Sequence, residues 1–252
     1  MMLDVVVVGG GLGGSTLAAV LARAGKKVLV LEREQKFKDR VRGENMLPWG
    51  VDIAKRLGVL EDLVAAGAHL APGFTFYVMG QLDDRRPLPE TTPHGSPGLN
   101  MYHPDLQETL LAKAVKAGAE VKRGVNVTAV ADRSVTYVDG DEKHTVSARV
   151  VVGADGRSSK MREWGGFEEK RDPSFLRIAG AYVEGTSVPA DSVYFCMGPG
   201  VASFIAPFEK GRARYYAIYP GVAGDRKLSG KEKIADFLGA IREAGVPSSW
   251  LE

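Results

Sequence analysis

The stretch from Val5 to Arg33, VVVVGGGLGGSTLAAVLARAGKKVLVLER, constrains the chain more than any other. Four consecutive valines suit a strand buried on both faces, as in a parallel sheet. Gly13 to Ala24 then reads as a helix rich in Ala and Leu, with Gly25 as its C-terminal stop. Lys26 to Arg33 reads as the second strand. The result is a β-α-β unit of about 30 residues, the setting that makes a glycine fingerprint credible. Within it, Gly9-x-Gly11-x-x-Gly14 supplies a tight turn, a backbone open to a pyrophosphate, and close helix–strand packing. Gly13 belongs to the same loop, and Ala18 keeps the helix near the strand. The helix N-terminus offers free N–H groups and partial positive charge. Glu32 falls about 20 residues beyond the loop, where a carboxylate accepts hydrogen bonds from ribose hydroxyls and repels a 2′-phosphate. Arg33 either lies over an adenine or is a solvated strand-end cation. A glycine loop by itself serves nicotinamide dehydrogenases, flavoenzymes and proteins that bind nothing, so the nucleotide has to be read from the rest of the chain.

Composition removes several classes. The 252 residues are 44% hydrophobic and 25% charged, with a net charge of +2, which leaves no basic footprint for nucleic acid. One cysteine, Cys196, allows no internal disulfide and no zinc spacing, and the four histidines are scattered. The apolar N-terminus has no basic leader and no cleavage pattern. No apolar run approaches the ~20 residues of a membrane helix. A cytoplasmic location is the expectation.

Further along, Pro48 to Ala66 carries apolar residues at helical spacing. Gly73 to Glu90 reads as a hairpin around LDDRR, and Thr91 to Gly98 as a loop. A helix entered by Pro104 closes at Gly118. Val125 to Val138 and His144 to Val152 form a small meander, and Ala148 to Gly156 is a second buried strand running into a glycine turn. From Phe175 short strands follow one another, as in an antiparallel sheet, before a last helix over about Gly230 to Ala244.

Two more segments specify the nucleotide: DRVRGENMLP (Asp39 to Pro48) and VVVGADGRSSKMRE (Val150 to Glu163). With the first loop they resemble the class A flavoprotein monooxygenases, the para-hydroxybenzoate hydroxylase-like group, which is itself similar to geranylgeranyl reductases and flavin-dependent halogenases. The resemblance covers most of the chain. It implies an α/β fold: a Rossmann-like FAD-binding domain with a parallel sheet and β-meander (1–72 and 98–170), interleaved with a mostly antiparallel β substrate domain (73–97 and 171–252). It also implies that Gly9, Gly11, Gly14 and Glu32 hold the ADP half of FAD, and that Arg42 approaches the cofactor unless it simply pairs with Glu44. Val127 would lie against the adenine through its backbone. Asp155 and Gly156 would touch the pyrophosphate and a transient NADH or NADPH; otherwise Asp155 caps the segment after it.

Two departures stand out. His103 occupies the place of an arginine, with Gln107 one turn on, and is either cofactor-facing or structural. The Gly-Asp-Ala run expected as a third FAD motif is absent, and Gly224-Asp225 has no strand leading into it. The chain is therefore expected to be the N-terminal part of a longer protein, or a shortened one, holding FAD poorly by itself.

The reaction implied is NAD(P)H-driven hydroxylation or epoxidation of a small aromatic or polyketide-like molecule through a flavin C4a-hydroperoxide. Tyr194, Phe195, Phe204 and Tyr215 could line its pocket or form core. Reduction of prenyl double bonds stays open. GVASFIAP (Gly200 to Pro207) lacks the tryptophans of a halogenase. A non-catalytic ADP- or FAD-binding fragment is the alternative of another class.

Overall fold

The computed structural model describes residues 2–41, 43–221, 228 and 230–251. In chain order the elements are β1 (Leu3–Val8), α1 (Leu12–Arg23), β2 (Val28–Glu32), β3 (Asn45–Met46), α2 (Pro48–Leu57), α3 (Leu60–Ala65), β4 (His69–Ala71), β5 (Gly73–Val78), β6 (Gln81–Pro87), α4 (Leu88–Thr91), β7 (Gly98–Asn100) and α5 (His103–Lys116). There follow β8 (Glu120–Arg123), β9 (Asn126–Ala131), β10 (Ser134–Asp139), β11 (Glu142–Gly153), α6 (Lys160–Trp164), β12 (Leu176–Glu184), β13 (Ser192–Gly198), β14 (Val201–Phe208), β15 (Arg212–Pro220) and α7 (Ile234–Glu243). They form two compact units: 1–39, 57–66 and 104–171; and 40–56, 67–103 and 172–252. Residues 40–56, 67–72 and 98–103 thus group with the second unit rather than with the nucleotide fingerprint.

The first unit is built on a six-stranded sheet in the order β8-β2-β1-β11-β10-β9. β8, β2, β1 and the second half of β11 run parallel. The first half of β11 turns away to pair antiparallel with β10, and β10 pairs with β9. Val5 to Val8 are buried because both faces are covered. One face packs Val5 and Val7 against Ala18, Ala19 and Ala22 of α1 and Leu111 and Ala114 of α5. The other packs Val6 and Val8 with Leu29, Leu31, Val125, Val135 and Tyr137.

The second unit carries a six-stranded sheet, β12-β15-β14-β13-β5-β6, antiparallel except for the β13–β5 pair, and a small sheet β3-β7-β4. One face is closed by α7, whose Phe237, Ala240 and Ile241, with Ala244 just past its end, meet Ile205, Tyr215, Ala217 and Trp250.

Several expectations are corrected. The helix expected over 48–66 is two helices, because Gly58 takes φ +69° and ends the first. The hairpin turns at Met79-Gly80, both at positive φ, and not at LDDRR, which lies within the exposed edge strand β6. Val125–Val138 is interrupted at Asp132-Arg133, again at positive φ. Glu120–Arg123, given no element from the sequence, is the edge strand β8.

Ile205 is fully buried in the α7-side core. Ile205→Ala is expected to cost about 2–5 kcal/mol in urea unfolding followed by tryptophan fluorescence. Trp250 belongs to the same cluster and reports its loss.

Candidate nucleotide site

Three loops leave the C-terminal ends of parallel strands in the first unit, the edge where open α/β sheets bind ligands. They are Gly9–Gly11 after β1, Arg33–Gln35 after β2, and Ala154–Gly156 after β11. Gly9 takes φ +103°, and its N–H donates to the Leu31 carbonyl at 2.8 Å. A β-carbon there would overlap the Ala154 carbonyl oxygen; one at Gly14 would overlap the carbonyl oxygen of Gly9. These two positions accept only glycine. They draw α1 and β11 onto the end of β1. Ala154 completes the seam, its N–H donating to the Val8 carbonyl at 2.8 Å.

Gly11 caps α1 with extended backbone, and no side chain bonds to the helix start. The first turn of α1 carries no acidic residue. Its free N–H groups therefore present partial positive charge without a competing carboxylate, which suits a phosphate. A β-carbon on Gly11 would stand 3.9 Å from Gln107 Nε2, so that amide lies beside the loop. Gly13 has open space around it.

Glu32 is buried, and each of its carboxylate oxygens accepts one backbone N–H. Gly10 donates to Oε2 at 2.6 Å and Glu34 to Oε1 at 2.7 Å. The carboxylate is thereby fixed over the glycine loop, with acceptor capacity left for hydroxyl donors. Gly10 and Ser15 are site residues that the fingerprint reading overlooked. A side chain at Gly10 would crowd Glu32, and Ser15 Oγ donates to the Gly10 carbonyl at 2.7 Å. The unbroken run Gly9-Gly10-Gly11 was the available signal for Gly10; nothing in the sequence marked Ser15.

Asp155 acts as a cap. It accepts the Ser159 hydroxyl, Lys160 N at 2.7 Å and Met161 N at 3.1 Å, while Ser159 Oγ accepts Arg162 N at the start of α6. Gly156, at φ +86°, makes the turn between them. Arg33 points outward, with a side chain 71% exposed beside Glu34. Val127 pairs with Tyr137 in the meander, its side chain against the Val6–Val8 face of the sheet. The structure therefore brings Gly9, Gly11, Gly13, Gly14, Glu32, Asp155 and Gly156 onto one edge of the first unit. Arg42 and Gly224-Asp225 lie outside the described residues. His103 belongs to the second unit, where it is buried at the start of α5 with Nδ1 3.4 Å from the Gly43 carbonyl.

In the second unit the four aromatic candidates divide between faces. Tyr194 and Tyr215 point into the α7-side core, while Phe195 and Phe204 share the opposite face with Phe74, Phe76 and Tyr216. Register is the reason, since neighbours along a strand alternate. Burial pushes the Tyr215 phenol and the Cys196 thiol up to about 12, so both stay protonated. Neither serves as a nucleophile at neutral pH. A cavity of about 830 Å³ lies between β12 and α7, walled mainly by apolar residues such as Ile178, Val183, Phe237 and Trp250. Among the described residues no group of three His, Cys, Asp or Glu could hold a metal, and no helix is long and apolar enough to cross a membrane.

The sequence profile described as an FAD binding domain matches residues 2–237. The chain belongs to that family. Among curated relatives, digeranylgeranylglycerophospholipid reductase 1 of Methanococcoides burtonii is 26% identical over 97% of this chain and 60% of its own length. The 6-methylpretetramide 4-monooxygenase of Streptomyces rimosus is 35% identical over 67% of this chain and 42% of its own. The p-nitrophenol 4-monooxygenase PnpA of Pseudomonas putida DLL-E4 shares the fold at TM-score 0.81 and 21% identity, over 98% of this chain and 64% of its own. The chain spans about 60% of the length of the first relatives it matches.

The glycine positions separate fold from ligand. Gly14→Ala is expected to destabilise the chain by about 2 kcal/mol or more in thermal melts, whereas Gly13→Ala leaves the melting curve where it was. Equal melting of Gly14→Ala and the parent chain would contradict the packing described for α1.

Proposed function

We propose that this chain is the cofactor-holding part of an FAD-dependent oxidoreductase. The observation that carries the reading is the Glu32 carboxylate pinned over a side-chain-free loop at the acid-free start of α1. Gly11 gives a pyrophosphate room to approach the backbone, Gly9 and Gly14 close the turn and the helix packing behind it, and the N–H groups of α1 donate to the phosphates. Glu32 accepts from the ribose hydroxyls. Its negative charge disfavours a 2′-phosphate there, which fits the adenosine of FAD. Gln107, beside Gly11, is placed to donate to the same phosphates. Gly156 and the capped turn that Asp155 holds form the third wall of the cradle. Arg42 and Val127 are assigned to the cofactor by the family pattern, Arg33 by its place beside Glu32, and His103 by standing where the family has an arginine.

FAD, when bound, supplies the electron transfer, with NADH or NADPH as its transient reductant; the protein binds, orients and shields it. For the whole protein we favour a monooxygenase acting on a small aromatic or polyketide-like molecule. The support is the row of rings from Phe74 and Phe76 through Phe195 and Phe204 to Tyr216 on one sheet face. A second reading, saturation of prenyl double bonds, is favoured by the reductase match, which runs over nearly the entire chain. Oxygen separates the two. A monooxygenase incorporates label from ¹⁸O₂ into product, whereas a reductase turns over anaerobically with a prenyl substrate.

The cofactor assignment has its own test. FAD titrated into the chain is expected to bind 1:1 but weakly, and Glu32→Ala to weaken it further by about ten- to a hundredfold, the worth of charge-assisted hydrogen bonds. An equal affinity of parent and variant for FAD would overturn the assignment.

A further inference from the structure

The Glu32 carboxylate takes its aim from two backbone anchors. The last torsion of a glutamate is soft and broad, so a single hydrogen bond leaves the carboxylate plane free to turn. The Gly10 N–H holds Oε2 and the Glu34 N–H holds Oε1. Gly10 is kept in its turn by the Ser15 hydroxyl on its carbonyl. Glu34 lies in a stretch, 33–39, that belongs to no helix or strand. Its position has to be fixed by side chains from elsewhere.

Arg123 does so from the end of β8, where it is the partner of Glu32 across the β2–β8 pair. Its Nε donates to the Glu34 carbonyl at 3.1 Å. Its two terminal nitrogens donate to the two carboxylate oxygens of Glu108 on α5, at 2.7 and 2.9 Å. The guanidinium lies over the Phe37 ring, 4.6 Å from its centre. Glu108 Oε1 also accepts the Phe37 N–H at 3.3 Å. Gln35 lies against Gly124, where a β-carbon would overlap it, and its amide donates to the Arg123 carbonyl at 3.3 Å. Glu34, Gln35 and Phe37 are thus each tied to Arg123 or to its partner. All of these residues belong to the first unit.

The Arg123 guanidinium holds the Glu108 carboxyl below the usual carboxylate range, so the pair stays charged at neutral pH. Its side chains are 23% and 39% exposed, and ion pairs open to water add little to stability. What a two-pronged pair does supply is orientation. With both terminal nitrogens committed to Glu108, the planar fork leaves Nε–H aimed at Glu34.

We propose that Arg123, locked by Glu108, is a positioning residue for ribose recognition: it holds the Glu34 N–H where it sets the plane of the Glu32 carboxylate. The proposal rests on the FAD reading above and assigns Arg123 no contact with the cofactor. Arg123 acts through Glu34, and Glu34 through Glu32.

The test compares ADP with 2′-deoxy-ADP, each titrated into the chain and followed by ligand-detected NMR. The two nucleotides differ by one hydroxyl, so their affinity ratio reports the ribose contact and cancels phosphate binding. The parent is expected to prefer ADP by about tenfold, the worth of one hydrogen bond to a charged group. Arg123→Met keeps apolar cover on Phe37. It is expected to bring the ratio below about threefold, with 2′-deoxy-ADP held within about twofold of its parent affinity. An unchanged ratio, or an equal loss of both nucleotides, would overturn the proposal in favour of a purely structural ion pair. Arg123→Lys keeps the charge but loses the planar fork that reaches Glu108 and Glu34 together. It is expected to lose the preference too, and decides by the same criteria should Arg123→Met fail to fold. A parent chain that binds neither nucleotide, or both equally, would overturn the ribose role of Glu32 itself, a result separate from either variant's.

Discussion

The nucleotide cradle depends on an absence of atoms. Gly9 and Gly14 meet with no side chain between them, and Gly9 also passes beneath the Ala154 carbonyl. One point of contact therefore sets three approaches: α1 onto β1, β1 onto β11, and the β11 turn onto the loop. Had either residue carried a β-carbon, α1 would stand further off and the small alanines behind it would lose their fit. Ala18, Ala19 and Ala22 are buried on that face because the helix is so near. The chemistry inherits the geometry. A helix end with unspent N–H groups and a fixed carboxylate share one sheet edge because the glycines let them.

The same economy explains Asp155. A carboxylate facing a phosphate would oppose it, yet Asp155 is turned into its own chain and bound by three donors. That charge is spent on holding the turn into α6, and in the proposed site Gly156 and the backbone would form the wall. Capping and nucleotide binding, alternatives on the sequence alone, are thus compatible: the side chain does one and the turn it shapes is available for the other.

What was legible in the sequence follows from this. The β1–α1–β2 unit could be read because its requirements fall on residue types with no substitute: glycine at φ +103°, valines in a doubly covered strand, a carboxylate at a strand end. Elements whose specification is distributed were misread. The charged run LDDRR has the composition of a turn but lies in β6, an exposed edge strand, where charge discourages pairing with another chain. Asp132 and Arg133 make a tight turn without glycine, so the meander read as one strand where there are two. Gly10 and Ser15 escaped because their roles are hydrogen bonds to neighbours 22 and 5 residues away, which no spacing rule encodes.

The second unit shows the limit most clearly. Tyr194 and Phe195 are adjacent in sequence and chemically alike, yet one is core and the other faces away. Register alone decides, and register is set by pairings such as Phe195 with Phe204 that span a hairpin. In the same unit the buried ion pair of Arg214 with Glu44 joins residues 170 positions apart, with no local signature at either end. Nucleotide recognition is written largely in the backbone, so a single strand–helix–strand unit displays it. The proposed substrate face would instead be made by side chains of different strands. Hence a family that shares a cradle for FAD contains relatives named as reductases and others named as monooxygenases. A face such as the one shared by Phe76, Phe195, Phe204 and Tyr216 is assembled from strands distant in sequence, so no local spacing displays it.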